Sequence, residues 1–478
     1  MQRIFQSVFV ACVCICVFSA CVRDPITLDQ PNILFIAIDD WKPLAGAYGD
    51  SIVQTPSIDA LARQARVFNR AYVQHPVCGA SRASMLTGLR PESNGILDLK
   101  TRLRDVHPDI LTMPQFFKNA GYVTAASGKI FDPRNVDSRA DDDPQSWSIP
   151  FEATYGIVDR KAEPNFVARA VDAPIEEFVD GQIHARGVEL LRQMALSDQP
   201  FFLAVGYKKP HLPFVVPKEF YELYERESFP LANFQQAPAN SDPSYVLGTN
   251  GELRSYWPTP QGQDQAVPYG KQISVEQQQE LIHGYYASVS FIDHLIGQLL
   301  GELEASGKAS NTIVVLWGDS GFHLGDHGKW GKATAMEQAN RIPLIIKVPG
   351  IEQGETAALV EALDLFPTLA ELAGLDAPPN LHGLSLVPIL NDKLTTVKDV
   401  AISQYKRRGA YAYSMRTEQY RYTEWVEADG AVVYRELYDM IADPEERANI
   451  GSNGENALLM DSLANQLRNH STGLLRLR

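Results

Sequence analysis

The stretch Asn32-Ile33-Leu34-Phe35-Ile36-Ala37-Ile38-Asp39-Asp40 is almost wholly apolar until it delivers two adjacent carboxylates. An unbroken apolar run of this length reads as a central strand of a sheet covered on both faces. Runs of the same kind recur at 123–126, 201–205, 312–316 and 344–348, and helical patterns fill 57–65, 113–120, 183–194, 275–306 and 362–372. Alternating strands and helices predict an α/β fold built on a large, mostly parallel sheet flanked by helices. In such sheets the chemistry gathers beyond the carboxyl ends of the strands. Asp39 and Asp40 arrive there after the first strand, and Asp319 arrives there after Leu316-Trp317-Gly318. Three hard oxygen ligands converging from strand ends suit a divalent cation such as calcium or magnesium; zinc would prefer His or Cys.

With 478 residues and 45% hydrophobic content, the chain can bury a large core and divides into one big domain, over 32–390, and a smaller one. Past Asn391 the character changes to short alternating stretches such as 421–425 and 431–434. These predict a small antiparallel sheet followed by a terminal helix, a C-terminal subdomain over 391–478. The segment 214–271, rich in Pro, Gln, Asn and Gly, reads as long loops over the surface or over a pocket. Residues 1–21 place Arg3 ahead of an apolar stretch ending in Ser19-Ala20-Cys21, the layout of a secretory signal too short for a spanning helix, and 22–31 form a polar tether. The net charge of −15 argues against nucleic acid as a partner and makes any anionic substrate depend on a local cationic pocket.

Cys12, Cys14 and Cys16 fall inside the export segment, so a mature chain would hold Cys21 and Cys78 alone. Cys78 heads the run Cys78-Gly79-Ala80-Ser81-Arg82, in a stretch that reads as a tight turn opening a helix stopped by Gly88 and Pro91. A helix start leaves backbone N–H groups that favour an anion, and Arg82, one turn on, can face the same spot. A thiol beside a cation in that setting is of the reactive type, against the alternative of a small inert core residue. Ser19-Ala20-Cys21 resembles the end of a bacterial lipobox, with Phe18 where Leu is usual. That resemblance implies a lipid anchor at Cys21 and a periplasmic or outer-membrane location; simple secretion is the alternative.

The run from Cys78 to Arg82 resembles the signature of type I sulfatases, a cysteine followed two residues on by Pro or Ala and four on by Arg. Across 32–40, 78–91, 113–131, 206–214, 317–332, 364–374 and 421–444 the chain resembles the iduronate-2-sulfatase branch of that family. The resemblance implies an alkaline-phosphatase-like fold, conversion of Cys78 to formylglycine (3-oxoalanine) by a maturation enzyme, and one Ca2+ held by Asp39, Asp40, Asp319 and the residue at 320, with position 78 also touching the ion. It implies sulfate binding by Lys129 and Lys332 beside Arg82, and proton donation to the leaving alcohol by His211. Two departures stand out: Ser320 replaces the Asn or His usual in that position, and Asp132 replaces a histidine shortly after the Gly-Lys-x-Phe motif. A carboxylate at 132 would repel a sulfate unless it faces the metal, a base or solvent.

In the implied mechanism one hydroxyl of the hydrated aldehyde attacks sulfur in line, the sugar alcohol departs, and the second hydroxyl collapses to expel sulfate. Arg82, Lys129 and Lys332 would offset charge on the non-bridging oxygens. The implied substrate is a sulfated polysaccharide or its oligosaccharides, with a uronic acid neighbour. Arg102, Arg104 and His107 are candidates for subsite contacts, and Arg407 and Arg408 for a pocket wall, although a solvated face is the plainer reading of such residues. Two alternatives stay open. One is a phosphatase or phosphonate hydrolase of the same fold, against which Cys78 in register with Arg82 argues, since simple phosphatases use Ser or Thr. The other is a non-catalytic lipoprotein that binds sulfated glycans.

Overall fold

The computed structural model describes residues 30–136, 142–156, 167–249, 251–256 and 273–470. The expected export segment, Cys21 and most of the tether lie outside the described residues. Among the described residues no helix is long and apolar enough to cross a membrane.

Eight strands form the main sheet: β1 (Asn32–Asp39), β2 (Arg66–Tyr72), β3 (Val123–Gly128), β4 (Phe201–Pro210), β5 (Thr312–Gly318), β6 (Arg341–Ile342), β7 (Leu344–Lys347) and β8 (Gly354–Glu361). Their order is β6-β2-β7-β5-β1-β4-β3, and β8 also pairs with β2. β1 lies between β4 and β5, parallel to both, and is buried along its whole length. Alternate side chains of a strand point to opposite faces. Accordingly Leu34, Ile36 and Ile38 enter one apolar cluster with Ile183, Leu190, Leu295 and Leu299, while Ile33, Phe35 and Ala37 enter a second with Met85, Leu86, Phe366 and Leu369. Each fully buried Ile or Leu of this strand contributes about 1.5–3 kcal/mol. The first cluster rests on helices Val179–Ala195 and Val275–Ala305, and the second on α1 (Cys78–Thr87) and the helix Leu365–Leu372, so the molecule is layered helix, sheet, helix.

All five expected strands form. The sheet is mostly parallel at its centre, but β7 runs antiparallel to both β2 and β5. An apolar run encodes burial on two faces and carries no information about direction. β2 and β8 were not legible as strands, because Arg66, Asn69, Arg70 and Glu355 interrupt their hydrophobic pattern. The C-terminal part forms the expected antiparallel sheet, β9 (Ala401–Arg407), β10 (Ala410–Arg416), β11 (Tyr420–Val426) and β12 (Val432–Asp439), paired in sequence order. Helix Ala457–His470 covers it through Met460, Leu463, Ala464 and Leu467 against Tyr422 and Leu437.

Candidate active site

The register of the sheet assembles the site. Ile38 of β1 pairs with Gly318 of β5, so the next residues, Asp39 and Asp319, leave the two adjacent strands side by side. Asp40 follows with φ of 60°, a left-handed conformation that Asp tolerates better than most residues. On the other flank Gly128 of β3 pairs with Gly206 of β4. A Cβ at position 206 would lie 2.1 Å from the Lys129 carbonyl oxygen. Only glycine permits that approach, which lets the Lys129 N–H donate to Gly206 O at 2.8 Å and fixes the lysine at the strand end. His211 follows the end of β4, and α1 opens at Cys78 with Gly88 in the left-handed conformation as its C-cap.

These side chains form one buried charge cluster. Lys129 Nζ donates to Asp39 Oδ2 at 2.7 Å, and Arg82 Nη2 lies 3.7 Å from Asp39 Oδ1. Arg82 Nε donates to Asp319 Oδ2 at 2.6 Å, and Nη1 reaches the carbonyls of Lys129 and Ile130. Asp319 Oδ1 accepts from the Asp40 N–H at 2.9 Å. Lys332 Nζ donates to the Asp40 carboxylate and, at 2.9 Å, to Glu252 Oε1. Ser320 Oγ donates to Asp40 Oδ1 at 3.0 Å, and Tyr285 OH donates to the Asp40 carbonyl at 2.6 Å. Ligand atoms of Asp39, Cys78 and Asp319 all lie within 4.8 Å of one another, as do those of Asp40, His211 and Glu252.

Electrostatics follow from this burial. Desolvation alone would raise Asp39, yet Lys129, with His211, Arg82 and Lys332, holds it well below the usual carboxylate range. Asp319 goes the other way: burial, reinforced by Asp39, pushes it up to about 7 against the pull of Arg82. Asp40 is raised as well, again chiefly by burial, against Lys332. Burial is the main cause of both upward shifts, acting against the neighbouring basic side chains. Asp39 Oδ1 is buried without a hydrogen-bond partner. The oxygen donors of Asp39 and Asp319, one of them orphaned, fit a hard divalent cation such as calcium, while Asp40, its carboxylate held by Lys332 and Ser320, groups with His211 and Glu252 instead. An ion there would supply positive charge that keeps both carboxylates ionised.

Cys78 corrects one sequence expectation. Burial pushes its thiol up to about 12 in spite of Lys129 and Lys332, and Sγ lies 3.2 Å from Asp132 Oδ2, so the unmodified side chain is a neutral thiol. The adjacent cations do not make it a thiolate, because desolvation in a closed helix start outweighs them. Arg82 also sits deeper than a direct anion contact requires, fully buried and committed to Asp319 and backbone carbonyls.

His211 Nδ1 faces the Leu212 carbonyl at 2.7 Å, and Nε2 faces Glu252 Oε1 at 3.1 Å. Both neighbours are acceptors. Burial and Lys332 would lower the imidazole, but Asp40, Asp39 and Glu252 outweigh them and raise it. Glu252 gave no signal in sequence: it lies in the Pro- and Gln-rich segment, 80 positions from Lys332. A cleft of about 550 Å3 opens over the cluster, lined by Lys129, Asp132, Arg134, Lys208, Lys209 and His211 among others. Arg102, Arg104 and His107 do not line it, and Arg104 is committed to Asp143, Gln115 and the Ile110 carbonyl. Arg407 bonds to the carbonyls of Tyr245 and Ala333, and Arg408 stacks over Tyr245 at 5.8 Å, so they buttress the Lys332 loop from behind.

Comparison with known proteins agrees with this geometry. The family model described as Sulfatase matches residues 31–375, and that described as N-sulphoglucosamine sulphohydrolase, C-terminal, matches 325–473. The chain is 33% identical to iduronate 2-sulfatase of Mus musculus, covering 97% of this chain and 98% of that protein. It is 34% identical to iduronate 2-sulfatase of Homo sapiens, covering 84% and 86%. A solved protein bound to its substrate D-glucosamine-2-N,6-O-disulfate superposes with a TM-score of 0.73 at 24% identity, over 92% of this chain and 99% of that one. The phosphonate monoester hydrolase of Agrobacterium radiobacter gives 0.75 at 21% identity, over 92% and 95%. At these identities the structures share the fold.

Proposed function

From the premise that this chain belongs to the sulfatase family and is a sulfuric ester hydrolase, we propose that it removes sulfate from a sulfated, uronic-acid-containing oligosaccharide, using formylglycine at position 78 and a calcium ion. The observation that carries this reading is the meeting of Asp39, Cys78 and Asp319 within 4.8 Å, flanked by Lys129 and Arg82. Once converted, residue 78 would supply a hydrated aldehyde that takes the sulfonyl group and can release it again, which a thiol cannot.

The chain's own residues bind, orient and move a proton. Lys129 and Lys332, buried on opposite sides of the cluster, place positive charge where the non-bridging oxygens sit, in a water-poor setting that strengthens it. Arg82 holds Asp319 and, through the Lys129 carbonyl, the backbone that carries that lysine. His211 donates its Nε2 proton to the departing sugar oxygen, while its Nδ1–H, fixed on Leu212 O, keeps the ring aimed at the cleft. Ser320 orients Asp40. Export, with lipid attachment at Cys21, and maturation by a formylglycine-generating enzyme complete the proposal.

The test is expression with and without a maturing enzyme, mass spectrometry of the Cys78 peptide, and assay of sulfate release with calcium and after chelation. Matured protein releases sulfate and loses activity on chelation. Equal turnover by protein carrying an unmodified thiol would overturn the reading.

A further inference from the structure

Asp132, the departure that placed a carboxylate beside the sulfate position, is answered two residues later. Asp132 Oδ1 accepts from the Arg134 N–H at 3.1 Å and from its Nε at 2.8 Å, and Oδ2 accepts from Nη2 at 2.7 Å. This two-pronged pairing fixes the guanidinium plane and neutralises the carboxylate, whose side chain is fully buried. Arg134 itself is half exposed, at 50%, and lines the cleft together with Lys208 and Lys209. Its Nη2 lies 3.5 Å from Cys78 Sγ, so the guanidinium borders the reacting position from the solvent side. Lys129 and Lys332 lie deeper, with side chains 9% and 4% exposed and paired inside the cluster. In a chain of net charge −15, a cleft lined by Arg134, Lys208 and Lys209 is a local reversal of sign.

We propose that Arg134, held in place by Asp132, is a specificity-determining residue that binds a second anionic group of the substrate, a carboxylate or a further sulfate neighbouring the ester that is cleaved. The proposal rests on the sulfatase reading of the site. A guanidinium already locked by one carboxylate loses little side-chain freedom when its outward edge meets another anion, which is where a planar fork has the advantage over a lysine. Asp132 is then a positioning residue: without it the same arginine would be free to swing into solvent or toward the Asp39 cluster.

The experiment compares kcat/KM of the matured enzyme on four sulfate esters: a uronic-acid-containing sulfated disaccharide, its carboxyl-reduced analogue, a disulfated hexosamine disaccharide and a plain aryl sulfate. The readout is the preference for each anion-flanked substrate over the aryl sulfate. Arg134→Ala lowers that preference about 10- to 100-fold, the loss expected for a hydrogen bond between charged partners, mainly through KM. Arg134→Lys restores part of it, and Asp132→Asn lowers it with Arg134 still present. If the wild-type preference falls on carboxyl reduction, the recognised group is a carboxylate; if it survives carboxyl reduction and is as strong for the disulfated hexosamine disaccharide, it is a sulfate. A preference unchanged within about twofold in Arg134→Ala, with melting temperature preserved, overturns the proposal. So does an equal loss on all four esters. Absence of sulfate release from every ester by the matured wild type would instead overturn the underlying sulfatase reading.

Discussion

Two buried charge clusters face different tasks in this molecule. The first, at the carboxyl edge of the sheet, combines Asp39, Asp40 and Asp319 with Arg82, Lys129 and Lys332. The second joins the end of β8 to the C-terminal sheet: Arg90 grips Glu361 with two bonds of 2.9 and 3.0 Å, and Lys398 bridges Glu361 at 2.8 Å and Asp364 at 2.6 Å. Backbone N–H groups of Ile402, Leu384 and Glu361 occupy the remaining carboxylate positions at 2.7–2.9 Å. Every carboxylate oxygen there has a partner. In the first cluster Asp39 Oδ1 and Arg82 Nη2 are buried without hydrogen bonds. The difference is that the Glu361 cluster completes its own hydrogen bonds, whereas the cluster at the strand ends keeps buried polar atoms without a partner.

The comparison breaks if the two clusters respond alike to mutation. Cys78→Ala lowers sulfate release by at least about 10^3-fold, as loss of a nucleophile does, with a shift in melting temperature of only a few degrees. Glu361→Ala does the reverse. It leaves Arg90 and Lys398 buried without their shared carboxylate and costs about 3–5 kcal/mol, read as an earlier denaturation midpoint, while specific activity of the remaining folded enzyme stays near wild type.

Acid sharpens the contrast. Arg90 and Lys398 overcome the effect of burial and bring Glu361 down to about 2, from an ordinary value of 4.5. A depressed folded value means that stability is fully present above 4.5 and is lost as pH falls toward 2. Burial raises the neighbouring Asp364, which makes the loss shallower than Glu361 alone would give. Melting temperature followed from pH 5 to pH 2 should fall, and in Glu361→Gln the fall should flatten. The smallest effect belongs to Ser320→Ala, which removes one hydrogen bond to Asp40. It costs about 1 kcal/mol and weakens calcium dependence of activity by roughly 10-fold or less, read from a calcium titration of turnover.

By itself the sequence determined the layered α/β architecture, because apolar runs and helical periodicity report burial directly, and its strand-end carboxylates and sulfatase-like motifs singled out Asp39, Asp40, Cys78, Lys129, His211, Asp319 and Lys332 as candidates. Tertiary structure alone decided what each of them touches. That β7 would run antiparallel depends on which neighbours it meets, and nothing within 344–347 encodes that. Glu252 reaches Lys332 and His211 only because chain segments far apart in sequence converge, and a single glutamate in an aperiodic segment carries no signature of that contact. Arg82 is turned inward to Asp319, and Asp132 is neutralised by Arg134, because ionisable groups removed from water must find partners in space, at distances that residue spacing does not measure.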